Sequence, residues 1–317
     1  GETYESHIKT LKDLVRADIN YVRAYTLMLI DGSEINTPEQ RKKWGFKTKF
    51  RILPKDFVRL KNNKTVIETE EVVIATNALS FDEYVELRLL AFIMFVTNIG
   101  LVYDPISNFL KEKNIDVFDL FYECLKQKDS APSEIIEIFN KFKESTTNEL
   151  WDSPEDIQNY FQNHENYQKL LGGEEGINVL QHYQAMVIFN NMEKWTEFTL
   201  KIAESLLIKN NKFSKDVQNQ FIDVANYCRG LSFEPLTKNR KNKNPEFSFN
   251  YNITEWLKSK ENLEKFKDSP QKVKFSFSEK QFKLVDDALN LCGDTMVGKS
   301  RIFRWIQPDN IWRIPMF

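Results

Sequence analysis

SFDEYVELRLLAFIMFVTN, residues 80–98, decides how this chain is built. Ser80 followed three residues later by Glu83 is a capping box, which opens a helix running through roughly Asn98. Its second half belongs to the longest apolar run in the chain, Leu89–Val102. A membrane span needs roughly 18–20 apolar residues. This run is shorter and reads as a buried core helix. Toward the C-terminus the helical pattern continues. Pro105, Pro132 and Pro154 each stand near the start of a further helical stretch. Asn178–Ile208 carries Val179, Tyr183, Val187, Trp195 and Leu206 at helical spacing, as one long helix or two abutting ones. Asp216–Cys228 adds another. Two strand-like segments follow, Phe247–Ile253 and Lys272–Ser278. A second capping box, Ser278 with Gln281, opens a helix over Lys280–Leu291. The tail holds Trp305, Trp312, Met316 and Phe317, and so much apolar surface predicts docking on the body.

Toward the N-terminus the pattern becomes mixed. Lys47–Leu53 and Thr65–Ala75 read as an antiparallel pair joined by the polar linker Lys61–Lys64. Thr37-Pro38-Glu39-Gln40 is a helix start, and Gly45 stops that short helix. Asn20–Ile30 is aromatic and β-branched and reads as a strand ended by Asp31-Gly32. Thr3–Ala17 reads as an amphipathic helix with Thr3 as its cap. The fold class is therefore α+β and predominantly α-helical. Residues 1–35 form a βα piece, 36–77 a short helix with a β-hairpin connector, and 78–317 a mainly helical domain.

Composition narrows the function classes. The 317 residues include 44 basic and 46 acidic side chains, a net charge of −2. Such a balance predicts neither a nucleic acid nor a membrane as partner. Only 10 glycines agree with a helix-rich protein. The basic run Lys238–Asn244 reads as a solvated loop. The three cysteines, Cys124, Cys228 and Cys292, have no metal-ligand spacing and read as buried thiols. With no signal peptide after Gly1, they point to a reducing, cytoplasmic setting. The chain begins on Gly1 instead of Met, which is expected of a processed or excised piece. His7, His164 and His182 lack a second ligand at i+3 or i+4. Glu68-Thr69-Glu70-Glu71 and Asp286-Asp287 read as solubilising surface acids, and Gly172–Gly176 as a loop between helices. The residues alone thus define no active site.

Gly1-Glu2-Thr3 before an amphipathic helix resembles the second half of the GLPGET segment of radical S-adenosylmethionine (radical SAM) enzymes. Tyr21–Ile30 with Asp31-Gly32-Ser33-Glu34 resembles the next barrel strand and its PGTxL-like ending, with Asp31 in place of Pro and Ser33 in place of Thr. Trp44–Pro54, WGFKTKFRILP, and the block from Val66 to Leu90 are similar to the region after the barrel in the cobalamin-binding subgroup. The likeness covers about a third of the chain.

The resemblance implies the C-terminal part of a (β/α)-barrel enzyme, of oxidoreductase or methyltransferase type. Its parent would use a [4Fe–4S] cluster and S-adenosylmethionine, with cobalamin in the cobalamin-dependent kind. The cluster ligands, a CxxxCxxC motif, are absent from this sequence. The chain would support the upstream barrel of the same parent and bind its substrate without being catalytic alone. Barrel active sites are built from loops at the C-terminal ends of the strands. The implied site residues are therefore Gly1, Glu2 and Thr3 in one loop and Asp31, Gly32 and Ser33 in another. Arg23 and Tyr25 share one strand face, expected to point inward. An excised barrel strand has an unpaired edge, which predicts a homodimer contact there or rearrangement of residues 1–35. The rival reading is a stand-alone helical interaction or scaffold module without catalytic activity.

Overall fold

In the computed structural model, which describes residues 1–19, 22–236, 244–267 and 270–316, the chain is α+β and predominantly helical. The basic run Lys238–Asn244 (Asn244 apart), residues Asn20 and Tyr21 of the expected strand, and Phe317 lie outside the described residues. Helices α1 (Tyr4–Arg16) and α2 (Pro38–Trp44) precede strands β1 (Lys47–Arg59) and β2 (Thr65–Ala75). Then come α3 (Phe81–Thr97), α4 (Asp104–Glu112), α5 (Val117–Lys126), α6 (Ser133–Asn148), α7 (Pro154–Tyr160), α8 (His164–Gly172) and α9 (Val179–Met186). A π-helical turn, Val187–Asn191, separates α9 from α10 (Met192–Lys209), and α11 (Lys215–Ser232) follows. The last part holds β3 (Glu246–Phe249), α12 (Ile253–Lys258), β4 (Gln271–Ser276), α13 (Glu279–Cys292), α14 (Met296–Arg301) and β5 (Ile314–Met316). Among the described residues, no helix is long and apolar enough to cross a membrane.

The chain divides into two compact units. The first comprises Gly1–Asp13, Arg23–Ala91 and Phe139–His182. Its frame is the antiparallel pair β1–β2. β1 runs six residues past the expected end at Leu53, to Arg59. A bulge between Ile52 and Phe57, with Lys55 at φ 76°, takes up the extra residues and lets the ladder resume. Ile52 and Ile67 can then share a core with Ile157, Phe161, Tyr167 and Leu170, against which Phe50, Phe57 and Trp151 pack. Phe50 and Trp151 exchange two backbone hydrogen bonds, of 2.9 and 2.7 Å. Thr37 caps α2, and Gly45 ends it at φ 61°, where an added Cβ would meet the Asn77 side chain.

Glu70 and Glu71 are not surface acids, contrary to the expectation above. Arg41 donates to both oxygens of Glu71, at 2.8 and 2.5 Å. Arg51 pairs with Glu70 and lies 3.3 Å from Glu149. Adjacent residues of a strand face opposite ways, so two neighbouring glutamates meet different arginines. Charge density read along the sequence does not reveal this.

Segment 22–30 departs most from expectation. It forms no continuous strand and pairs with nothing in parallel among the described residues. Met28 makes one antiparallel bridge to Val72; Leu29 N–H donates to Glu71 and Val73 N–H to Leu27, both at 2.9 Å. Arg23 and Tyr25 are exposed, while Val22, Ala24 and Thr26 are half-buried, so the inward face is the small one and not the Arg/Tyr face. Leu29 is buried, but Leu27, Met28 and Ile30 stand exposed. A segment with one apolar anchor has little burial to offset the entropy of ordering a full ladder.

The second unit comprises Leu14–Val22, Phe92–Ile138 and Tyr183–Phe317. It is packed around rings. Phe92 meets Trp195 edge-on at 5.9 Å, and Tyr227 meets Phe275 edge-on at 5.2 Å. Gly230 is required on α11, because a Cβ there would come within 2.5 Å of the Phe275 ring. Three buried hydroxyls form a chain: those of Tyr103 and Thr196 lie 2.7 Å apart, and those of Thr196 and Ser232 2.9 Å apart. The Ser278–Gln281 capping box opens α13 as expected. Gln281 also donates to the Trp312 carbonyl at 2.7 Å, which fixes the tail. Trp312 is buried there, yet Trp305 and Met316 are exposed, so only part of the tail docks. β3, β4 and β5 form a small antiparallel sheet. Cys124 and Cys228 are buried, but Cys292 is only half-buried.

Candidate functional site

An apolar cavity of about 370 Å³ opens within the first unit. Its volume falls in the range of small-molecule sites, roughly 300–1,000 Å³. The sequence builds it by letting short elements end around one hollow. Thr3 caps α1, accepting from Ser6 N–H at 3.2 Å, which leaves Gly1 and Glu2 on the wall. Gly1 lies against Trp44: a Cβ there would stand 3.3 Å from the indole ring. The indole is held in turn by its own N–H, which donates to Gln40 at 2.8 Å. Beyond Gly45 the chain reverses, which adds Phe46 to the same wall. β2 contributes Val73 and α3 contributes Leu87 and Ala91.

A few polar groups converge on this apolar shell. Tyr84 has its hydroxyl 3.4 Å from Thr26 Oγ1, and its ring stacks on Phe81 at 5.9 Å. His7 Nδ1 lies 3.1 Å from a Glu2 carboxylate oxygen. Among the described residues of the wall, Arg88 is the one strongly cationic side chain. Its Nη2 lies 3.6 Å from Glu149, too far for a hydrogen bond, and its buried Nε has no hydrogen-bond partner. Glu149 is held closer by Arg51, at 3.3 Å. Burial pushes the Glu149 carboxyl above its ordinary range, against the pull of Arg51 and Arg88. The Arg51 guanidinium is held above its usual value by Glu149 and Glu70 despite its own burial.

The expected site residues divide. Gly1, Glu2 and Tyr25 line the cavity. Thr3 serves as a helix cap, and Arg23 is exposed away from the wall. Asp31, Gly32 and Ser33 form a turn in which Ser33 N–H and Oγ both bond to the Ile30 carbonyl, at 3.1 and 2.6 Å. They lie off the wall as well. The sequence reading missed Trp44, Tyr84 and Arg88. A signal for Arg88 existed: it interrupts an otherwise apolar run, Leu87-Arg88-Leu89-Leu90, on a core helix. A charge held there needs a partner or a task.

Among the described residues no group of three or more His, Cys, Asp or Glu side chains is placed to hold a metal ion. Burial raises the Cys124 thiol and pushes that of Cys228 up to about 12. No protein-family model matches the chain, and no curated protein matches it in sequence.

Proposed function

We propose that this chain is the C-terminal, substrate-side part of a cytoplasmic radical SAM enzyme of the cobalamin-binding kind, inactive without the upstream barrel. One observation carries the reading. The two segments that resemble barrel elements, Gly1-Glu2-Thr3 and residues 21–30, both send residues to the wall of one apolar cavity: Gly1 and Glu2 from the first, Ala24 to Leu27 from the second. An enzyme that handles a carbon radical has to exclude water and position its substrate, and an apolar cavity with few polar groups serves both ends. The cluster would be supplied by the barrel, since the sequence here has no CxxxCxxC motif.

The test is the parent reading frame and its product. A CxxxCxxC motif is expected within about 200 residues upstream of Gly1, a distance set by the usual barrel size. The extended chain, reconstituted anaerobically with iron and sulfide and reduced, should release 5′-deoxyadenosine from S-adenosylmethionine. A frame without that motif, or an extended chain that holds a cluster and leaves S-adenosylmethionine intact, overturns the reading.

A further inference from the structure

We propose that the cavity takes a small, largely apolar ligand bearing one anionic group, and that Arg88 recognises the anion. This rests on reading the cavity as a substrate site, and it adds the ligand's chemical class.

The walls set the apolar part. Trp44, Phe46, Val73, Leu79 and Leu87 surround the hollow, so most of the ligand surface would meet carbon. Polar groups on the wall are mostly spent on one another: Glu2 faces His7, and Tyr84 faces Thr26. Arg88 is different. A guanidinium has five N–H donors and no acceptor. Here its side chain is only 12% exposed, its nearest carboxylate stands 3.6 Å away, and its Nε has no partner. A buried donor left unsatisfied is costly, and native proteins pair nearly all of them.

The distances within the cluster single out the same residue. Within the cluster Arg51 takes Glu70 directly and stands nearer to Glu149 than Arg88 does. Glu149 is therefore shared: the two arginines and two glutamates balance, and Arg88, on the cavity wall, is the cation held less closely. A carboxylate or sulfonate there would give Arg88 a closer partner through a planar, two-pronged contact, the geometry for which arginine is suited. A cationic or neutral ligand would leave Arg88 as it stands.

Two fluorescent probes of nearly equal shape test this on the chain as it is. 1-Anilinonaphthalene-8-sulfonate carries the anion and N-phenyl-1-naphthylamine lacks it. The charged probe should bind roughly 10-fold tighter or more, the ratio of one charge-assisted hydrogen-bonded contact. Arg88→Met should bring the two affinities within about threefold of each other, and Arg88→Lys should keep part of the preference. Ala91→Leu, which fills the cavity and leaves the charged cluster untouched, should weaken both probes. Its folding is checked by circular dichroism. Equal affinities in the parent chain, an anion preference that survives Arg88→Met, or binding indifferent to Ala91→Leu would each overturn the proposal. If Arg88→Met does not fold, the parent chain with the probe pair and Ala91→Leu still decides it. None of these measurements needs a cluster. Loss of anion preference would sink the ligand class alone, while a parent without the cysteine motif would sink the radical reading alone.

Discussion

The two units solve the same burial problem differently. The second fills its interior with rings and links some of its buried hydroxyls: Trp195 lies against Phe92, Tyr103 meets Thr196, and Thr196 meets Ser232. The first keeps a hollow beside Trp44 and a half-buried set of four charges, Arg51, Arg88, Glu70 and Glu149. Close packing stabilises a domain, whereas a hollow and incompletely paired charges cost stability and persist where a ligand uses them. The candidate cavity lies in the first unit, and the described part of the second is packed around rings.

The comparison can be broken in four ways. Trp195→Ala removes a fully buried ring from the packed unit and should cost about 3–5 kcal/mol, read by urea denaturation. Arg51→Met leaves Glu70 and Glu149 without their nearest cation and should cost about 3 kcal/mol. Trp44→Ala enlarges a hollow that already exists, at a half-buried position, and should cost only about 1–2 kcal/mol. A cost for Trp44→Ala equal to that of Trp195→Ala would mean the cavity wall is as tightly packed as the core.

The smallest effect depends on pH. Arg41 holds the Glu71 carboxyl below its ordinary value of 4.5. The folded state then binds fewer protons than the unfolded one. The pair's contribution is fully present above about 4.5 and is lost as pH falls through the lowered value. Glu71→Gln should cost about 1 kcal/mol at pH 7, because Arg41 is partly solvated. Melting curves of the parent and variant should converge in strong acid. A gap that persists there would show that packing, and not charge, accounts for the variant's cost.

Much of the fold was legible in the sequence where local chemistry decides it. The caps at Thr3, Thr37, Ser80 and Ser278 and the stop at Gly45 are local signals, and each helix starts or stops where they place it. The β1–β2 pair follows from β-branched alternation, although its bulge does not, since that depends on which isoleucines find a shared core. Segment 22–30 looks like a strand by composition but makes a single bridge to β2, because its one buried anchor, Leu29, gives little burial to offset the ordering of a full ladder. The site was legible only in part. Gly1, Glu2 and Tyr25 stood out through resemblance, but Trp44, Tyr84 and Arg88 meet across distant stretches that no local pattern links. Glu149, which gives Arg88 its meaning, lies 61 positions further along the chain.

The role proposed for this chain is in a radical enzyme whose cluster would lie upstream of Gly1. Its most direct test is 5′-deoxyadenosine release by the anaerobically reconstituted, reduced extended chain supplied with S-adenosylmethionine. The account predicts release that disappears when the upstream cysteines are replaced by alanine. Release unaffected by those replacements, or none at all from a chain that holds its cluster, would contradict it.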